Sequence, residues 1–255
     1  MSADAPAPPV LMTVDRAVAT LAFNRPHKSN AYDKAMQRML DAALEQAATD
    51  PAIRVLVLRG EGRHFCAGAD LSSTTDAADA PGIAELCHRL ATMPKPTLAL
   101  VQGACLGGGM ALICCCDIVV ATSDAFFSMP EARLGFSPSP LIPFLLRGIG
   151  IGNTRRVLMS GARFGAEEAL RLGLVQAVGD AEQILRDRIA ELLQSAPGAV
   201  AEIKAAVARL EGQPITAELL ADLQRGFDAA KDSVESLEGR AAAREKRPPR
   251  WTIKP

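Results

Sequence analysis

Two stretches constrain this chain more than anything else in it. Val55 to Arg59 reads VLVLR and runs into Gly60; Thr97 to Val101 reads TLALV and runs into Gln102-Gly103. Each is a short apolar run, rich in branched residues, of the kind that forms a buried strand. Each continues into a glycine-containing loop (GEGRHFCAGADLSS, GACLGGG) and then into a helical segment. A unit of strand, glycine loop and helix that recurs along one chain predicts an α/β fold with layered or coiled sheets.

The remainder is organised around these units. Residues 10–24 read as two short strands about a turn at Asp15-Arg16. RPHKSNAYD is a loop, and Asp33 is suited to cap a helix running to about Ala48. Residues 75–82 form an Ala/Asp-rich insert expected to be mobile, followed by a helix over 82–92 that Pro94 and Pro96 terminate. DIVVATSDAFFSM reads as one further strand, and PEARLGFSPSPLIPFLLRGIG follows it. Beyond about residue 160 the β signal fades. FGAEEALRLGLV reads as a helix, a glycine stop and a short strand. Ala181–Gln194, Gly198–Leu210 and Thr216–Arg244 carry helical spacing of apolar residues. The expected division is a core of residues 1–195 and a helical region of residues 196–255 with a basic end, REKRPPRW.

With 49% hydrophobic residues among 255, the chain can bury a large core. A formal net charge of −1 gives no general attraction to nucleic acid or to an anionic membrane. No apolar run reaches the ~20 residues needed to cross a bilayer. MSADAPAPPV lacks the basic and apolar regions of a secretory signal. Three of the six cysteines are adjacent, which does not suit a disulfide framework, and a reducing cytoplasm is the expected location.

Several stretches carry candidate chemistry. LGGGM follows a strand and opens a helix, but has neither the spaced glycines of a dinucleotide site nor the Lys-Ser/Thr of a phosphate loop. GIGIG (148–152) follows an apolar helix and is a weaker candidate still. Cys114, Cys115 and Cys116 point about 100° apart on a helix and cannot converge on one metal. The histidines (His27, His64 and His88) show no ligand spacing, so no metal site is expected. Cys66 lies in a loop where it is either a reactive thiol or an inert one. HFCAGADL and LGGGM both place small residues after buried strands, an arrangement able to aim two backbone N–H groups at one oxygen. Glu131, in MPEARLG, is either an acid/base of raised pKa or a first-turn glutamate after Pro130.

In their order, FNRPHKSNAYD, HFCAGADL, GACLGGGMAL…CCDIVVA, MPEARLGFSP, SGARFGAEEALRLGLV and SLEGRAAAREKRPPRW resemble the crotonase superfamily, the enoyl-CoA hydratase/isomerase family. The likeness spans residues 10 to 251. It implies a spiral of repeated ββα units, a C-terminal helical region used for trimer contacts (with trimers pairing into hexamers), and an acyl-CoA thioester as substrate. No cofactor is implied, coenzyme A being part of the substrate. Carried over by position, the backbone N–H groups of Ala69 and Gly108 hold the thioester oxygen. His27, Lys28, Ala67, Asp70 and Leu71 fall where the family lines the coenzyme A pocket, while Gly107, Ala111, Pro130 and Leu134 border the substrate. Lys246, Arg247 and Arg250 are either phosphate contacts or solvated surface.

One position departs from the pattern. Family hydratases hold a water between two glutamates, one of which corresponds to Glu131; the other position here is Ala111. A single acid/base suffices to move a proton between carbons, which suits an isomerase shifting a 3-enoyl double bond. FSPSP, however, lacks the aspartate of some such isomerases. GFSPSPLIPFLLRGIG resembles a branch containing methylglutaconyl-CoA-type hydratases, and Ser137 and Ser139 are the nearest candidates to assist there. The expected function is hydration of a 2-enoyl-CoA. The alternatives are isomerisation with Glu131 alone and a non-catalytic acyl-CoA-binding protein, and a nicotinamide oxidoreductase is the weakest reading.

Overall fold

Arg16 and Ala17 both adopt positive φ (43° and 70°), and the tight reversal they make joins strand β1 (Val10–Asp15) to β2 (Val18–Phe23) as an antiparallel pair. This hairpin begins a computed structural model of the chain that describes residues 7–72 and 80–253. Of the insert anticipated at 75–82, residues 75–79 lie outside the described residues. Helix α1 (Lys34–Thr49) starts where anticipated, with the Asp33 carboxylate accepting the Met36 N–H at 2.9 Å. Its apolar face, Met36, Leu40, Leu44 and Ala47, is buried. Strand β3 (Val55–Gly60) then lies parallel to β2, and helix α2 (Ile83–Ala91) follows.

From here the chain repeats one figure. Strand β4 (Thr97–Val101) extends the large sheet, β5 (Ala104–Leu106) enters a second, smaller sheet, and helix α3 (Gly108–Ile113) crosses back. Strands β6 (Ile118–Ala121) and β7 (Phe126–Ser128) do the same, and lead through a 3₁₀ turn (Pro130–Leu134) and a second one (Ser139–Leu141) to helix α4 (Ile142–Ser160). Strand β8 (Phe164–Gly165), helix α5 (Ala166–Arg171), strand β9 (Ala177–Val178) and helix α6 (Ala181–Leu192) follow. The large sheet has the order β1-β2-β3-β4-β6-β9, parallel after its first pair; the small one has the order β5-β7-β8. The β3 unit shows the same figure with its second strand reduced to one bridge, between Cys66 and Cys105.

Two expectations are corrected and a third is extended. DIVVATSDAFFSM is two strands in two sheets, because the chain turns at Thr122–Ala125, where Ala125 N–H donates to the Thr122 carbonyl. The strand TLALV is likewise followed by a separate short strand; Gly103 (φ +54°) makes the corner, where a Cβ would collide with the Arg63 carbonyl and the His64 ring. GIGIG does come after an apolar helical stretch, but the helix resumes beyond it: α4 runs on to Ser160 with a kink at Gly150 (φ +72°).

The chain divides into two compact units, Met1–Arg188 and Ile189–Pro255. The first holds a core that includes Leu21, Phe23, Leu56, Leu58, Phe65, Leu98 and Phe127, all fully buried. The second contains helices α7 (Pro197–Leu210), α8 (Ala217–Ala230) and α9 (Val234–Glu245). The single helix expected over 216–244 is thus two, broken at Lys231–Ser233, where the Ser233 hydroxyl caps α9. The Trp251 indole N–H donates to the Gln194 carbonyl at 3.0 Å within this unit. Among the described residues no helix is long and apolar enough to cross a membrane.

Candidate active site

The bridge between Cys66 and Cys105 binds two loops side by side. Cys66 N–H donates to the Ala104 carbonyl at 3.0 Å, and Leu106 N–H donates to the Cys66 carbonyl at 2.8 Å. Ala69 and Gly108 each lie three residues beyond the bridged pair, on neighbouring segments. Gly68 (φ +91°) and Gly107 (φ +52°) turn the backbone immediately before them, and the two turns touch: a Cβ on Gly107 would lie 3.7 Å from the Gly68 Cα. Gly107 N–H is taken by the Ser128 carbonyl, and Asp70 N–H by Tyr32. Among the described residues, no hydrogen bond is made by the N–H of Ala69 or of Gly108.

Glu131 enters from the 3₁₀ turn after β7, beside Pro130. Only 8% of the residue is exposed, and its Oε2 is buried with no hydrogen-bond partner. Its Oε1 stands 2.8 Å from where a Gly107 Cβ would be, which explains glycine at that position: any side chain would displace the carboxylate. Burial raises the Glu131 carboxyl above the usual carboxylate range. The structure therefore joins Glu131, Gly107 and the Ala67–Ala69 loop into one site. Such a group of atoms can bind a carbonyl oxygen and move a proton beside it.

Ala111 lies on the fully buried face of α3, its residue without accessible surface, and it offers no polar atom beyond its backbone. His27 and Lys28 are exposed on the 3₁₀ turn Pro26–Lys28. The Lys28 Nζ donates to the Ser72 hydroxyl at 3.0 Å and lies 3.8 Å from Asp70. Asp70 is held by Ser72 and by Arg25 at 3.0 Å; these bonds, that from Ser72 foremost, pull its carboxyl down to about 2. Leu71 and Leu134 project outward, 74% and 55% exposed. Ser137 and Ser139 are exposed and hydrogen-bond each other at 2.9 Å.

In the second unit, Arg247 is committed to Glu238 (2.6 Å) and Glu245 (2.5 Å), and Arg250 approaches Glu238 at 3.6 Å. Of the three basic residues there, Arg247 is the one most occupied by its own helix, whereas Lys246, in a left-handed conformation, closes α9.

The cysteines pack rather than react. Cys66 is wholly buried against Gly109, not exposed in its loop, and burial pushes its thiol up to about 12. The Cys115 and Cys116 thiols donate back to the Ala111 and Leu112 carbonyls, and Cys114 packs on Gly148 of α4. Among the described residues no three His, Cys, Asp or Glu side chains gather as metal ligands.

Two residues that the sequence reading passed over organise the site. Arg25 donates to the Ala31 carbonyl and pairs with Asp33 (3.1 Å) and Asp70 (3.0 Å), tying the 25–33 loop to the loop that carries Ala69. Tyr32 is the one tyrosine of the chain. Its hydroxyl occupies the space a Gly108 Cβ would need, and burial, with Cys66, Cys87 and Glu131 nearby, raises its pKa well above the ordinary value. That a lone tyrosine follows FNRPHKSNA was the available signal.

Residues 13–254 match the family model for enoyl-CoA hydratase/isomerase. A probable enoyl-CoA hydratase of Mycobacterium bovis, echA6, is 33% identical over 246 residues, covering 94% of this chain and 98% of that protein. The mevalonyl-coenzyme A hydratase sidH of Aspergillus fumigatus is 36% identical over 177 residues, 66% of this chain and 65% of its own. Among solved structures, an enoyl-CoA hydratase from Shewanella pealeana matches with a TM-score of 0.90 at 32% identity, over 95% of this chain and 96% of the other. Pseudomonas aeruginosa AtuE matches with a TM-score of 0.88 at 36% identity, over 96% and 99%. The spiral of ββα units is thus the crotonase fold, and the chain belongs to the enoyl-CoA hydratase/isomerase family.

Proposed function

We propose that the chain hydrates a 2-enoyl-CoA, with Glu131 as its single acid/base. The observation that carries this reading is the buried Glu131 carboxylate, unpartnered at Oε2, beside two loops whose Ala69 and Gly108 N–H groups are free. The thioester oxygen accepts from both N–H groups, which stabilise the charge that grows on it as water adds; losing one such donor generally costs ~10²–10³ in rate. Water gives its oxygen to C3 and a proton to the Glu131 carboxylate. The carboxylic acid so formed returns a proton to C2, the enolate collapses to the thioester, and Glu131 is again a carboxylate. No cofactor enters the sequence of steps. On the coenzyme A side, His27 and Lys28 meet the nucleotide, with Ala67, Asp70 and Leu71 around it, and Pro130 and Leu134 border the acyl group.

The names of the relatives, hydratases of enoyl- and mevalonyl-coenzyme A, support hydration. Ala111 favours a second reading, in which Glu131 takes a proton from C2 of a 3-enoyl-CoA and returns it to C4. Incubating the purified protein with crotonyl-CoA and, separately, with a 3-enoyl-CoA, and following both products, decides between them. Double-bond migration without hydration ends the first reading, and binding without turnover of either ends both.

The working assembly in this reading is a trimer. Phe136, Leu146, Ile151 and Met159 expose apolar surface along an open groove of about 690 Å³ between the 3₁₀ segment and α4. Light scattering at three times the 26.9 kDa chain mass, or at six times, is the expected result; one chain mass refutes it.

A further inference from the structure

A carboxylate at Glu131 fixes only one hydrogen of an attacking water. Water held by one bond rotates, and Ala111 supplies nothing to hold the other end. The atoms around the three glycines at the start of α3 show what does. Gly107 and Gly108 are consecutive, so their Cα atoms stand ~3.8 Å apart. The place of the Gly107 Cβ is taken by Glu131 Oε1; the place of the Gly108 Cβ is taken by the Tyr32 hydroxyl, with the Tyr32 ring edge (2.9 Å) and Ile83 beside it. A carboxylate and a phenol therefore flank one dipeptide whose second N–H is the proposed oxyanion donor.

Glu131 Oε2 is buried with no partner. The Tyr32 hydroxyl, in a residue that stays partly accessible, makes no hydrogen bond among the described residues. A buried orphan acceptor and an unpaired, accessible hydroxyl beside one dipeptide mark a place that a small polar molecule can reach and bridge. The phenol is also held rigidly. Tyr32 N–H donates to the Gly68 carbonyl and the Tyr32 carbonyl accepts from Asp70 N–H, both at 2.9 Å, so its backbone is bolted to the loop that carries Ala69. Arg25 fixes the residues on either side, through the Ala31 carbonyl and Asp33. Its ring packs on the core while the residue stays only partly buried. Burial raises the hydroxyl's pKa well above its ordinary value, which favours the neutral phenol.

We propose that the Tyr32 hydroxyl positions the nucleophilic water, accepting the hydrogen that Glu131 does not take and so filling the role left open at Ala111. The proposal rests on the hydration reading above. Tyr32 takes up no proton in the reaction. It fixes the direction of the water lone pair toward C3, while the oxyanion donors and the C2 proton transfer remain the work of other groups.

The last point supplies the test. Tyr32→Phe keeps the ring over Gly108 and deletes only the hydroxyl. Hydration of crotonyl-CoA is measured beside a reaction that needs no water addition, the exchange of C2 hydrogens of butyryl-CoA in D2O. The expected result is a 10–100-fold fall in kcat for hydration, with exchange and melting temperature unchanged within twofold and 2 °C. Unchanged hydration overturns the proposal. So does an equal fall in both reactions, which assigns Tyr32 to packing or to the enolate instead. A wild-type protein that exchanges C2 hydrogens but does not hydrate removes the hydration reading itself, and the proposal with it, before any variant is made.

Discussion

Replacing Glu131 by glutamine should move activity and stability in opposite directions. The amide has the size and shape of the carboxylate but cannot accept a proton, so the acid/base contribution of ~10²–10⁴ in kcat is lost. Stability responds the other way. Glu131 carries a charge into a place where one oxygen is buried and unpartnered, and burial raises its carboxyl above the ordinary range. An unsatisfied buried polar group costs about 1–3 kcal/mol. Glutamine removes the charge but leaves a polar atom, so the gain lies near the low end, ~1 kcal/mol, or ~2–4 °C in a domain of this size. The sign with pH follows from linkage. The folded protein holds this proton more tightly than the unfolded chain, whose glutamates ionise near pH ~4.3. Wild-type stability therefore declines between that pH and the raised folded value, and the variant's advantage grows through the same window and then levels off. Melting curves of both proteins from pH 4 to 8, beside crotonyl-CoA kinetics, measure both effects. A Glu131→Gln protein that keeps full kcat, or that is no more stable than wild type at pH 7, refutes the reasoning.

Gly107→Ala should cost both folding and catalysis. Its φ of +52° is strained for any L side chain, by about 1–3 kcal/mol, and the new methyl meets the Glu131 carboxylate at 2.8 Å. Calorimetry should show a lower melting temperature, with kcat falling at least tenfold; an unaffected kcat would place Glu131 elsewhere. Asp70→Asn tests the loop clamp. The Asp70 carboxyl, held near 2, contributes stability that is present above its ordinary 3.8 and is lost as the pH falls through about 2, so the variant should flatten the acid limb of the stability curve between those values. Thiol labelling at pH 8 should leave Cys66 unmodified until the protein is unfolded, since its thiol is buried and pushed up to about 12; rapid labelling in the native state would contradict the packing around Gly109.

Much of this was legible in the sequence, for reasons that are local. The Asp33 cap, the buried strands at 55 and 97 and the small residues flanking the turns are each written within a few positions. The missing carboxylate at Ala111 was legible from the family pattern. What the sequence concealed depends on residues far apart along the chain. Gly103 divides an apparent single strand because Arg63 and His64 leave no room for a side chain there. DIVVATSDAFFSM has a strand's composition throughout, and only its turn at Thr122 sends its two halves to different sheets. Tyr32 looks like an apolar residue before a helix; its hydroxyl acquires meaning only when Gly108 and Glu131 are brought beside it. Arg25 reads as a surface cation until its three partners, at 31, 33 and 70, fold around it.

The single bridge between Cys66 and Cys105 also acts as a gauge. Ala69 and Gly108 lie at equal offsets from it, each just past a glycine turn, Gly68 and Gly107, and the two turns touch. The last rung of the ladder is the Leu106 N–H donated to the Cys66 carbonyl; beyond it both chains leave the strand direction. The proposed oxyanion site thus takes its width from two backbone turns pinned by one bridge, a dimension that side-chain substitution cannot readily alter.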